Sequence, residues 1–192
     1  MTIEISEAKR ALRQEVLARL QTLTATEREA ASAQARARLA ARPEWGQARS
    51  ILFYAPLPGE LDLWPLAAEA LAGGKTVALP RFVPARRRYI ACQVRDLARD
   101  VQPGHFGIRE PAGPCPPILL KGLDLLLVPG VAFDLHGGRL GRGKGYYDQL
   151  LAGVRGVKCG VAFERQLVAA VPVARNDIRM NCILTPTRWI GW

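Results

Sequence analysis

Apolar positions recur along this chain in two periods, and the changes of period outline its elements. Ala8, Leu12, Val16 and Leu20 repeat every fourth residue, which predicts a helix over 6–21 with that stripe buried and Ser6 as N-cap. Lys9 and Arg13 are also four apart and share a face beside the stripe. A second helix is predicted from Thr26, where T-E-R-E reads as a capping box with Glu29, to about Ala41, with Pro43 barring extension. SILFYA at 50–55 predicts a strand that runs into the loop P-L-P-G-E-L-D. A helix follows from about Asp62 to Ala72, closed by Gly73 and Gly74. Lys75–Leu79 predicts a short strand ended by Pro80, and Arg86–Arg88 a charged turn into an outer strand, YIACQVR. Residues 102–118, dense in proline and glycine, read as an ordered connecting loop.

The run LDLLLVPGVAFD from Leu123 is too apolar for a half-exposed strand and too short for a membrane span. It predicts a buried strand of a parallel sheet. Beyond the central loop, Lys158–Glu164 predicts another strand, Gln166–Ala170 a short helical piece, and NCILTPTRW a last strand. Alternating strands and helices predict an α/β fold: one domain over residues 1–192, a three-layer open sheet, mainly parallel and Rossmann-like, with helices on both faces.

Five glycines fall within nine positions after that buried run (Gly137, Gly138, Gly141, Gly143, Gly145), with Arg139, Arg142 and Lys144 between them. A glycine- and cation-rich loop between a strand and the predicted helix YYDQLLAG suits an anion such as phosphate. Its backbone N–H groups approach closely, its cations neutralise, and the helix N-terminus adds its dipole. Gly138–Lys144 fits G-x-x-x-x-G-K, yet Gly145 stands where a P-loop has the Ser or Thr that binds Mg²⁺. A metal held here needs another ligand, and Asp148 is the nearest. Glu60 follows a strand, where ligand sites of open α/β sheets form.

Charge adds a constraint. The 27 basic and 17 acidic residues of this 192-residue chain give +10, which favours an anionic partner, either nucleic acid or a polyanionic small molecule. RNA binding would want aromatics interleaved with the cations, and near Arg86–Arg88 there are only Phe82 and Tyr89. Cys92, Cys115, Cys159 and Cys182 lie far apart and make no metal-ligand spacing with His105 or His136, so reduced thiols are expected. No signal peptide is visible, and no run approaches the roughly 18 apolar residues of a membrane helix. A soluble, cytoplasmic chain is expected.

Taken together, K-R-A-L-R at Lys9–Arg13, P-G-E-L-D around Glu60, G-I-R-E-P at Gly107–Pro111, P-G-V-A-F-D at Pro129–Asp134, G-R-L-G-R-G-K-G-Y-Y-D at Gly138–Asp148, A-F-E-R-Q-L-V at Ala162–Val168 and Asn176-Asp177 resemble the 5-formyltetrahydrofolate cyclo-ligase family, in the family's order. The chain departs from the family pattern at Leu63, where a hydroxyl is usual, and at Asn181, where a carboxylate is frequent. The resemblance implies conversion of 5-formyltetrahydrofolate and Mg·ATP to 5,10-methenyltetrahydrofolate, ADP and phosphate through a phosphorylated formyl oxygen. It implies ATP binding by Lys9, Arg13, Arg139, Leu140, Gly141, Arg142, Gly143, Lys144, Gly145, Tyr146 and Tyr147. Lys144 and Arg142 would be catalytic, and Asp148 and Asp177 would hold Mg²⁺. The folate would meet Glu60, Phe106 and Gly141–Gly145, with Phe106 or Tyr147 stacking on its flat rings. The positive charge then suits the anionic, often polyglutamate, folate tail. The expected partners are small molecules alone, without nucleic acid or membrane, acting on a monomer. Other classes compatible with the architecture are a phosphosugar isomerase, an acyl-transferase-like enzyme and a basic RNA-binding module.

Overall fold

The computed structural model describes residues 3–192. Its centre is a seven-stranded sheet, in spatial order β12 (Trp189–Gly191), β11 (Cys182–Leu184), β9 (Val157–Val161), β6 (Leu125–Pro129), β1 (Ser50–Leu52), β2 (Thr76–Val83) and β3 (Arg88–Val94). The five inner strands pair in parallel and the two edge strands antiparallel. The fold is therefore α/β with a mainly parallel sheet, as predicted.

Period-two alternation explains why the inner strands are apolar throughout. In β6, Leu125 and Leu127 enter one core, whereas Leu126 and Val128 enter the other. Ile51 and Leu52 divide in the same way. The first core lies under α1 (Ile3–Gln21), α2 (Ala25–Ala40), α3 (Pro43–Gln47) and α4 (Trp64–Ala72), whose buried residues include Val16, Leu39, Trp45 and Leu66. The second is covered by α5 (Tyr146–Leu151), through Leu150 and Leu151, and by loop residues such as Met180. Helices thus occupy both faces, but unevenly.

Several boundaries differ from the sequence expectation. Helix α1 includes Ser6, which therefore does not cap it. Its buried positions are Lys9, Val16 and Leu20, while Ala8 is exposed. A charged residue enters the stripe because Asp177, 168 positions away, neutralises it. The capping box of α2 is Thr24 with Glu27, two residues before the predicted pair; both reciprocal hydrogen bonds form. Pro43 does more than stop α2, since it opens α3 in the first turn. Strand β2 continues through Pro80, where β3 has become its pairing partner. The proline-rich connection contains a hairpin of β4 (Val101–Pro103) and β5 (Arg109–Pro111), its prolines confined to strand ends. The buried run breaks after Pro129, and β7 (Ala132–Asp134) leaves the main sheet to pair with β8 (Arg139–Leu140) and β10 (Leu167–Val168). Residues 164–166 form a 3-10 turn rather than the predicted helix over 166–170. The predicted last strand is two, joined by a turn held by Thr185.

From β1 the chain crosses to β2 on one side, and from β6 to β9 on the other. The β1/β6 boundary is thus a topological switch point, and a crevice opens at the carboxyl ends of these strands.

Candidate active site

The glycine loop is delivered to that crevice by the β7–β8 hairpin. Asp134 is buried at its turn and accepts backbone hydrogen bonds from His136, Gly138 and Val171, each of 2.8 Å. Burial alone would raise its pKa, but these three donors hold it below the usual carboxylate range. Gly138 is required there, since a Cβ would stand 2.3 Å from Asp134 Oδ2. The loop then passes through left-handed backbone at Gly143 (φ 98°) and Gly145 (φ 67°), where side chains with a Cβ are strained. Helix α5 behind it is only six residues long. The capacity for anions therefore rests mainly on the loop's own backbone and cations rather than on the predicted helix dipole.

Two residues of α1 approach the site from outside, Arg13 at the loop itself and Lys9 at Asp177. Arg13 Nε donates to the Gly141 carbonyl at 2.8 Å. Lys9, itself buried, forms an ion pair with Asp177, whose Oδ2 also accepts the Ala174 N–H at 2.7 Å. Within the crevice, Arg139 pairs with Asp148 at 3.0 Å, and its side chain is only 2% exposed. Its Nη1 donates to the Pro129 carbonyl, while Nε, also buried, has no partner among the described residues. Arg142 reaches Glu60 at 2.9 Å. The second Glu60 oxygen accepts the Leu57 N–H, which orients the carboxylate. Lys144 is exposed and, among the described residues, has no carboxylate partner. Leu140 takes part only through its backbone, because its side chain is in the core and its carbonyl accepts from Val131.

Across the crevice stands an aromatic wall. Phe82 packs against Tyr146 and Phe106, with ring centroids 5.1 and 5.2 Å apart. Phe106 lies nearly parallel to Tyr146, at 27°, and is 58% exposed. Its φ of 61° is unusual for a bulky residue and aims the ring from the β4–β5 turn. Tyr146, expected with the nucleotide, also packs in this aromatic group, while Tyr147 meets Tyr89 and lies beneath Arg139. Burial, then the Glu110 carboxylate, pushes the Tyr89 hydroxyl up to about 12, so it remains protonated at neutral pH. Desolvation likewise raises Tyr147, followed by the influence of Glu60.

Glu60, Phe106, Arg139, Arg142, Lys144, Tyr146, Tyr147 and Asp148 line a cleft of ≈ 330 Å³, and Lys9, Arg13 and Asp177 lie outside its lining. Tyr54, Tyr89, Arg109 and Pro129–Gly130 also line it, although the sequence analysis gave none of them a role in the site. Their signal was positional: Tyr54 and Pro129–Gly130 stand at the ends of β1 and β6. Asn181, by contrast, sits at the opposite end of the sheet, where it pairs with Lys158, so its departure from the family pattern does not enter the cleft. Leu63 is buried in the core, and Asp62 Oδ1 accepts the Trp64 N–H at the start of α4.

Asp148 and Asp177 are the carboxylates that could hold a magnesium ion, although each is also paired with a cation, Arg139 and Lys9 respectively. Asp148 Oδ1 accepts from the N–H of Ile178, the residue after Asp177, so both acids belong to one corner of the site. Each uses one oxygen for its protein bonds, leaving Asp148 Oδ2 and Asp177 Oδ1 without a protein partner among the described residues. Among those residues there is no cluster of three or more His, Cys, Asp or Glu side chains. That suits Mg²⁺, which takes one or two carboxylates and fills its other positions with water and substrate phosphates.

The 5-formyltetrahydrofolate cyclo-ligase family model matches residues 5–186. The 5-formyltetrahydrofolate cyclo-ligase of Escherichia coli (strain K12) is 31% identical over 178 residues, covering 91% of this chain and 98% of its own. Its counterpart in Mus musculus is 28% identical over 198 residues, with 95% of each chain covered. Among solved structures, the 5,10-methenyltetrahydrofolate synthetase of Aquifex aeolicus superimposes with a TM-score of 0.85 at 35% identity, over 95% of this chain and 92% of that one. The synthetase of Mycoplasma pneumoniae shares the fold at 20% identity, with a TM-score of 0.74. A glycine loop and an aromatic wall meeting at a switch point, within a chain matched nearly end to end, lead to one conclusion: the protein belongs to the 5-formyltetrahydrofolate cyclo-ligase family of enzymes.

Proposed function

We propose that this protein uses ATP to close 5-formyltetrahydrofolate to 5,10-methenyltetrahydrofolate, releasing ADP and phosphate. The observation that carries this reading is the cleft's lining, which combines the cationic glycine loop, the aromatic rings of Phe106, Tyr89 and Tyr146, and the Glu60 carboxylate. A nucleotide phosphate chain suits the first, flat rings suit the second, and the reacting atoms would meet where they join.

The chemistry accounts for the need for ATP. The oxygen of an N-formyl group is a poor leaving group from its carbon. Its attack on the γ-phosphate forms an O–P bond and expels ADP. Attack by N10 on the activated carbon, with loss of the N10 proton, then expels the oxygen as phosphate. Phosphoryl transfer asks a protein mainly for positioning and charge neutralisation. Lys144 and Arg142 would supply mobile positive charge, and the N–H groups of Gly141–Gly145 would fit the phosphate oxygens. Arg13 backs the loop from α1, and Lys9 neutralises Asp177. Glu60 would accept hydrogen bonds from the pterin's amino and ring N–H donors. Phe106 and Tyr146 would stack on the rings. Asp148 and Asp177 would hold Mg²⁺, which supplies neutralisation of the phosphate charge.

Purified protein given Mg·ATP and 5-formyltetrahydrofolate should develop the absorbance of the methenyl product with one ADP per turnover. Folded protein that forms no product would overturn the proposal. Turnover of a phosphosugar or acyl donor without ATP would replace it with another class.

A further inference from the structure

We propose that Arg109, stacked on Trp64 at the outer wall of the cleft, binds the glutamyl carboxylates of the folate and makes the enzyme selective for tail-bearing substrates. The proposal deepens the folate reading above and rests on it.

Four cations line the cleft: Arg109, Arg139, Arg142 and Lys144. Arg139 and Arg142 are engaged by Asp148 and Glu60, and Lys144 belongs to the glycine loop. Arg109 alone stands on the opposite wall, in β5, and among the described residues no carboxylate lies within ion-pair distance of it. Its guanidinium carbon lies 4.0 Å from the centroid of the Trp64 ring. Stacking occupies the π face of a guanidinium and leaves its edge N–H groups directed outward, in the fork that matches a carboxylate.

The platform is held in place from both sides. Asp62 Oδ1 fixes the Trp64 N–H at 2.8 Å. On the hairpin, Glu110 accepts from the Phe82 N–H at 3.3 Å, and Arg81 bonds the Ala112 carbonyl at 2.9 Å. These bonds fix the backbones that carry Trp64 and Arg109, and the stacking on Trp64 restricts the guanidinium itself. In the substrate N5 belongs to the pterin and N10 carries the aminobenzoyl ring, so the glutamate lies at the far end of the molecule from the pterin. Phe106 and Ile108 line the same cleft as Arg109.

The test compares kcat/KM for 5-formyltetrahydrofolate and for 5-formyltetrahydropteroate, which lacks the glutamate, in wild type, Arg109→Gln and Arg109→Lys. Wild type should favour the tail by about tenfold or more, the scale of a charge-assisted hydrogen-bonded pair. Arg109→Gln should remove that preference by losing activity on the intact substrate only, and Arg109→Lys should retain part of it. An equal loss on both substrates, or an unchanged ratio, would overturn the proposal. Equilibrium binding of the same two compounds by calorimetry gives the ratio without catalysis. Absence of methenyl product in wild type therefore counts against the reaction, whereas an unchanged binding ratio in Arg109→Gln counts against the role of Arg109.

Discussion

Lys144 is exposed on a glycine loop and free of any carboxylate among the described residues, so little of the fold depends on it. Lys144→Ala should therefore lower kcat by about a hundredfold or more, the scale seen when one donor to developing charge is removed, with an unchanged melting temperature. Full activity would take Lys144 out of the phosphate site. Asp148 behaves in the opposite way, because it neutralises a buried arginine. Asp148→Asn should destabilise the protein by about 3 kcal/mol in denaturant titrations, since it strands a desolvated charge. It should also raise the Mg²⁺ concentration needed for half-maximal rate. Equal stability to wild type would mean that Arg139 is neutralised by another group. The contrast was legible in part: both residues belong to one motif, but their burial depends on what packs above them.

At the level of elements, local rules were read correctly in kind and misplaced in register. T-A-T-E-R-E offers two overlapping capping boxes, and only the first is used. Thr24→Ala should cost about 1 kcal/mol of stability, measured by thermal unfolding, while Thr26→Ala should cost far less; equal effects would contradict the observed cap. Glu164 links two elements that the sequence treats as separate. Burial would raise its pKa, but bonds from Arg188, Thr185 and Thr187 hold it at about 2, against 4.5 for an ordinary Glu. A depressed folded-state pKa gives stability that is full above the unfolded value and is lost as pH falls through the folded one. Wild type should thus lose stability between about pH 4.5 and 2, and Glu164→Gln should flatten that part of the curve. A slope unaffected by the substitution would rule out this carboxylate as a source of acid lability.

For the molecule as a whole, the Arg142–Glu60 pair ties the glycine loop to the loop that follows β1. A nucleotide that draws Arg142 toward its phosphates frees Glu60 for the pterin, so each substrate should help the other, reciprocally. The Arg142 side chain is 54% exposed, so the gain is modest. A non-hydrolysable ATP analogue should tighten folate binding by roughly two- to fivefold, from the usual strength of exposed pairs. Glu60→Gln should weaken folate binding and abolish the coupling. Folate affinity in wild type that is indifferent to the analogue would exclude such a link.

By itself the sequence determined the α/β class, the buried inner strands and the loop at Gly137–Asp148. These follow from apolar period, glycine spacing and local charge, all of which act between near neighbours in the chain. Tertiary structure decided that Lys9 enters a buried stripe, that Tyr146 joins the aromatic wall, and that Arg109 and Tyr89 face the cleft at all. Each depends on a partner far away in sequence: Asp177 for Lys9, Phe106 for Tyr146, Trp64 for Arg109. Whether a charge is buried, or a ring stacked, depends on groups that the chain brings together only once the sheet has formed.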